Sequence, residues 1–134
     1  MKTAIAFALL LCTTSAFAID PQLQKAIDRG AELFQHETFG GPGRVCESCH
    51  LGGGRRAGQT PDGKPMPSLT NAAAVFPRFA DGMLFTLSDQ VHMCIQYAVK
   101  GKPPEFGSEE FNSLVAYVTS LSQGKKIDMG ADPR

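Results

Sequence analysis

With 134 residues, 13 basic and 13 acidic side chains, the chain has no formal net charge and is the right size for one domain. That balance excludes the basic footprint of a nucleic-acid binder. It also offers little long-range electrostatic steering towards a partner.

The first eighteen residues read as an export leader. Lys2 is a short basic start, Ala4 to Leu11 is an apolar run, and Ala16-Phe17-Ala18 supplies small residues at a cleavage site. The run is too short to span a bilayer. Leu11 before Cys12 is too large for a lipoprotein site. Cleavage after Ala18 is expected to leave Ile19 to Arg134, with 12 basic and 13 acidic side chains, in the periplasm and without a membrane anchor. The mature chain divides into a domain over 19–124 and a polar tail, expected to be loose, over 125–134.

Pro21 to about Glu37 is predicted to form the first helix, with Leu23, Ile27, Leu33 and Phe34 along an apolar stripe. Gly30 inside it costs about 1 kcal/mol against Ala, which points to another helix passing close by. Thr38 to Val45 is a Gly-rich loop leading to Cys46-Glu47-Ser48-Cys49-His50. This is C-x-x-C-H, the attachment pattern of a c-type haem. Cys46 and Cys49, one turn apart, suit thioethers to the two vinyl groups of a porphyrin, and His50 suits the proximal iron position. A zinc site would need a second Cys or His cluster, and the sequence has none. The cofactor expected is one covalent haem c.

Leu51 to Pro77 holds five Gly and four Pro and reads as an irregular wrap, with Met66, Leu69 and Val75 facing a haem edge. Phe76, Phe79, Met83, Leu84 and Phe85 read as an apolar cluster. No strand signal stands out. A short helix comes next, capped by Thr86 or Ser88 and running to about Lys100, with Gly101 as its C′ residue. Pro103-Pro104 breaks the chain, and Ser108 caps a last helix whose stripe is Phe111, Leu114, Val115, Val118 and Leu121.

The sixth iron position has six candidates: His36, Met66, Met83, His92, Met93 and Cys94. On a helix advancing about 100° per residue from Val91 at 0°, Ile95 falls at about 40°, Ala98 at about −20° and Cys94 at about −60°. Met93 falls at about −160° and His92 at about 100°. If the Val91 face meets the haem, Cys94 points inward; a buried inert thiol is the alternative, with Met93 or His92 as other ligands. Arg55, Arg56 and Arg78 are candidate propionate or anion contacts.

The run Gly30-Ala31-Glu32-Leu33-Phe34 resembles the N-terminal helix of class I cytochromes c. The implied fold is all-α, with N- and C-terminal helices crossing around the haem. The C-x-x-C-H motif, Arg56-Ala57-Gly58-Gln59-Thr60 and Gly63-Lys64 resemble the group containing the sphaeroides haem protein and cytochrome c″. There the distal ligand directly precedes a disulfide Cys, the position of Met93 here, but the second disulfide Cys is missing. Thr86 to Val91 with Cys94, Gly101-Lys102-Pro103-Pro104 and Tyr117 resemble haem domains of thiosulfate dehydrogenases and thiosulfate-oxidising cytochromes. In those the matching Cys ligates iron and can carry the sulfur substrate. A small single-haem domain without a substrate domain reads as an electron carrier, leaning away from an enzyme. With one C-x-x-C-H, its electrons are expected to leave through a partner. The resemblance implies another cytochrome in that place and a hetero-oligomer with it. The alternative it implies is a catalytic or ligand-binding subunit meeting thiosulfate, NO or CO at the distal site. Mass spectrometry of exported protein should give the chain from Ile19 plus one haem; haem lost to acid-acetone extraction would overturn the reading.

Overall fold

The computed structural model describes residues 19–132, so the expected leader lies outside the described residues. Three α-helices and two small antiparallel ribbons make up the fold. Among the described residues no helix is long and apolar enough to cross a membrane.

Helix α1 spans Pro21–His36. The Asp20 carboxylate accepts from the amides of Gln22 (2.8 Å) and Leu23 (3.2 Å), and Pro21 takes the first turn, where its missing N–H costs nothing. Helix α3 spans Glu109–Ser120, with the Ser108 hydroxyl accepting from Phe111 N and Glu109 and Glu110 in the first turn. The two helices pack through Leu33, Phe34, Leu114, Tyr117 and Val118, all buried in one core with Phe39, Ile95 and Val99. Gly30 makes the contact possible. A Cβ there would overlap the Ser113 carbonyl oxygen and lie 2.6 Å from Tyr117 Cβ.

The expected all-α chain carries strands where the sequence pattern suggests only an irregular wrap and an apolar cluster. Strands β1 (Gly58–Gln59) and β2 (Pro65–Met66) pair Gly58 with Met66. Strands β3 (Arg78–Ala80) and β4 (Met83–Phe85) form a hairpin around Asp81-Gly82, both with positive φ. Such a turn matches the twist of paired strands. In the hairpin Phe79, Met83 and Leu84 are 75%, 58% and 57% exposed, so these members of the expected apolar cluster are not buried. The strands are two or three residues long, too short for period-2 alternation to register.

Helix α2 covers Leu87–Met93, and Cys94–Val99 continue it as one wider π-helical stretch. Thr86 and Asp89 cap it reciprocally: Thr86 Oγ accepts from Asp89 N (3.2 Å) and Asp89 Oδ2 from Thr86 N (2.9 Å). The Thr86 hydroxyl and amide hold the Asp89 carboxyl below its usual range. The left-handed residue ending the helix is Lys100 (φ 62°), not Gly101. Gly101 serves close approach instead: a Cβ there would lie 2.6 Å from Thr38 O. In the described part of the tail, which is largely exposed, Asp128 N and Gly130 N donate to Ala74 O (2.8 Å) and Val75 O (3.0 Å).

Gly30→Ala separates propensity from packing. Alone, propensity would stabilise by about 1 kcal/mol; overlap with the α3 backbone should instead destabilise by about 2 kcal/mol. Urea unfolding of the haem-loaded protein checks the sign, and a gain in stability would show that the crossing is looser than described.

Candidate functional site

Residues 46–48 form one 3₁₀ turn, closed by Val45 N donating to Ser48 Oγ (3.1 Å) and by His50 N donating to Cys46 O (3.0 Å). The turn sets Cys46, Cys49 and His50 on the wall of a single cavity of about 250 Å³. Phe34, Leu69, Leu87, Val91, Leu114 and Val118 contribute apolar lining from α1, the wrap, α2 and α3.

The chain after His50 is held by one carboxylate. Glu47 Oε1 accepts from Gly52 N and Oε2 from Gly53 N, each at 2.7 Å. Gly52, Gly53 and Gly54 all have positive φ, a conformation most side chains resist. Tyr117 then donates to Gly53 O at 2.8 Å and accepts from Arg55 Nη1 at 3.4 Å, tying the loop to α3.

The imidazole of His50 packs 6.4 Å from the Phe34 ring, centroid to centroid. Burial lowers its pKa, and the Pro67 carbonyl partly offsets this, so the neutral form needed by a metal ligand is favoured. Its Nδ1 is buried without a hydrogen-bond partner of good geometry, with the Pro67 carbonyl the polar group beside it. Burial, and after it the nearby Cys94, pushes the Cys46 thiol up to about 12. Burial also raises the Cys94 thiol, against a hydrogen bond from Gln90.

Of the six distal candidates, Cys94 and Met66 line the cavity. Met93 is exposed, His92 stacks on Phe106 with centroids 4.7 Å apart, and His36 lies on the surface near Glu32. Met83 lies on the exposed hairpin. The helix phase places Val91, Cys94 and Ala98 on the cavity, while Ile95 is fully buried in the core behind it. Val75, expected at the haem edge, is likewise fully buried without lining the cavity.

Arg78 lines the cavity, with its Cζ 5.1 Å from the Phe76 ring centroid. Arg55 turns to Tyr117, and Arg56 folds over Gly52, where a Cβ would meet its Nε at 2.8 Å. Three residues that carry the site escape the sequence pattern. Arg44 lines the cavity and donates to Ala98 O (3.1 Å). Glu47 occupies a free position of the C-x-x-C-H pattern. Gln90 precedes Cys94 by four residues, a spacing that places the two on one helical face.

These side chains fit a c-type haem: two thiols one turn apart, a neutral buried imidazole directly after them, and apolar walls. Among the described residues no three His, Cys, Asp or Glu side chains gather into a metal cage.

Comparison with known proteins agrees with this donor set. A thiosulfate dehydrogenase of Psychrobacter arcticus is 28% identical over 111 residues, 78% of this chain and 32% of that protein. The thiosulfate dehydrogenase TsdBA of Marichromatium purpuratum, in its as-isolated form, superposes with TM-score 0.64 at 23% identity, covering 84% of this chain and 26% of that one. SoxXA of P. pantotrophus gives TM-score 0.65 at 21% identity, covering 84% of this chain and 38% of that one. The chain thus spans about a third of the length of these relatives. Residues 29–127 match the family described as SoxA/TsdA, cytochrome c domain. The chain therefore belongs to the SoxA/TsdA cytochrome c domain family, a cytochrome c fold whose cofactor is covalently bound haem c.

Proposed function

We propose that this chain is a periplasmic monohaem electron carrier of sulfur-compound oxidation, with Cys46 and Cys49 holding the haem, His50 its proximal ligand and Cys94 its distal ligand. The observation that carries the reading is that Cys94 shares one apolar cavity with the C-x-x-C-H residues; of the other candidates Met66 also lines it, while Met93 and His92 do not. Membership of a family that includes thiosulfate-oxidising relatives supports the sulfur chemistry. The leader-like residues 1–18 support export, which haem c attachment requires.

The haem supplies one-electron cycling between Fe(III) and Fe(II). The chain's own residues set its terms. Apolar side chains exclude water from the cavity, and the Glu47–Gly52–Gly53 contacts hold the loop after His50. A thiolate at Cys94 favours the ferric state and gives a low potential for a cytochrome c. One haem stores one electron, so the electron passes on to another redox protein, for which a second cytochrome is our candidate. The two neighbouring complexes are named as TsdBA and SoxXA, which supports a hetero-oligomeric arrangement.

A second reading, a catalytic or ligand-binding subunit, draws support from Arg78. It lines the cavity with a buried Nε that makes no hydrogen bond, a donor suited to an anion such as thiosulfate. Gas binding by NO or CO would instead require the Cys94 bond to open on reduction.

The test is a pair of substitutions read by electron paramagnetic resonance and redox titration. Cys94→Ala should change the ferric low-spin signal and raise the potential, and Met93→Ala should leave both nearly unchanged. If Met93→Ala removes the low-spin signal and Cys94→Ala spares it, the ligand assignment is overturned.

A further inference from the structure

Three cavity-lining residues outside the haem motif form a connected hydrogen-bond chain: Arg78 on β3, Gln90 on α2 and Cys94, the final acceptor, one helical turn further on. Arg78 Nη2 donates to Gln90 Oε1 at 3.4 Å. Gln90 Nε2 donates to Cys94 Sγ at 3.5 Å. The chemistry of the end groups fixes the direction of the chain. A guanidinium has donors only, so the carboxamide oxygen of Gln90 must face it. That turns the NH₂ group of Gln90 onto the sulfur. The reverse orientation would set donor against donor at Arg78.

Arg78 is itself held in place. Its Cζ lies 5.1 Å from the Phe76 ring centroid, and β3 pairs Arg78 with Phe85 across the hairpin. A cation on the carbonyl end of an amide polarises it and makes its N–H a stronger donor. A hydrogen bond to a charged acceptor is about twice as strong as a neutral one.

We propose that Gln90, oriented by Arg78, is a positioning residue that hydrogen-bonds the Cys94 sulfur and sets how much electron density it gives to the haem iron. The proposal rests on the reading of Cys94 as distal ligand. The hydrogen bond withdraws charge from the sulfur, which weakens its donation to Fe(III) more than to Fe(II) and raises the potential. The protein thus combines a thiolate ligand with a potential above that of an unmodulated thiolate. Hydrogen bonding around a ligand is an established lever on haem potential, and here it has a named donor.

The experiment uses the haem-loaded full chain and reads potential and ferric resonance spectrum together. Gln90→Leu keeps the volume and removes the donor. It should retain the low-spin thiolate signal and shift the Fe(III)/Fe(II) balance about tenfold towards Fe(III), which for one electron is about 59 mV downward. Gln90→Glu keeps the acceptor for Arg78 but loses the donor to sulfur, and should shift at least as far in the same direction. Arg78→Gln, a milder change that leaves the helix intact, should shift the same way by less. In a Cys94→Ala background the Gln90→Leu shift should vanish, which a purely structural or general electrostatic effect would not do. An unchanged potential in Gln90→Leu with the thiolate signal intact overturns the relay alone. An unchanged ferric spectrum in Cys94→Ala overturns the ligand reading and the relay with it.

Discussion

Tyr117 is where the fold and the haem motif meet. Its Cβ lies where only a glycine at position 30 admits it, so α1 and α3 can close on one another. Its ring packs on Phe34 with centroids 5.3 Å apart, and Phe34 in turn lies beside His50. Its hydroxyl reaches the Gly53 carbonyl, three residues past the imidazole. A single side chain thus transmits the position of the helix pair to the loop that follows His50. If the crossing opened, the hydroxyl would leave Gly53, and the loop would keep only Glu47 and its own backbone bonds, with Leu69 N on Gly54 O (2.7 Å).

The helices are legible in the sequence because their signals are local and repeated. Gly30 announces a close crossing by being a poor helix former inside an otherwise periodic stripe, and Thr86 and Ser108 stand where caps are made. The haem cofactor is legible because C-x-x-C-H compresses two thioether-forming thiols and one imidazole into five residues. The ribbons are not, since strands of two or three residues hold no period. Phe79, Met83 and Leu84 mislead for a related reason: hydropathy says that a residue can be buried, not that a partner surface exists for it. Gly101 misleads differently. Its place after the helix fits a left-handed terminus, but Lys100 adopts that conformation and Gly101 is required by the Thr38 backbone.

The distal wall shows how far a helical phase carries. A regular 100° step sets Cys94 inward, and Val91, Cys94 and Ala98 line the cavity as the step requires, whereas Ile95, on the same face by that step, is buried in the core behind it. Beyond Met93 the helix widens to π geometry, which shifts the phase of the residues after it. Ala98 and Val99 both line the cavity, and so do Gln90 and Val91 in the regular part of the helix, so the lining face is wider than one step of about 100°. The π-helical stretch carries that face on beyond Cys94.

Partition of apolar residues explains why so small a chain builds a cavity at all. Leu33, Phe34, Leu114, Tyr117 and Val118 satisfy one another in the helix crossing. Leu69, Leu87 and Val91 pack only at the margin of that core and turn to the cavity. A domain of this size has little interior to spare, so a face of apolar side chains left to water would be a serious loss. Haem c removes that loss, because the ring supplies the opposing surface and the thioethers keep it there. Covalent attachment makes this stabilisation independent of free haem concentration, unlike a dissociable ligand whose contribution falls with dilution. On the proposed reading of Cys94 as distal ligand, the same apolar walls lower the local dielectric, and the Gln90 donor acts on the sulfur with more force than it would in water. Packing and redox tuning would then be two consequences of a single arrangement of side chains.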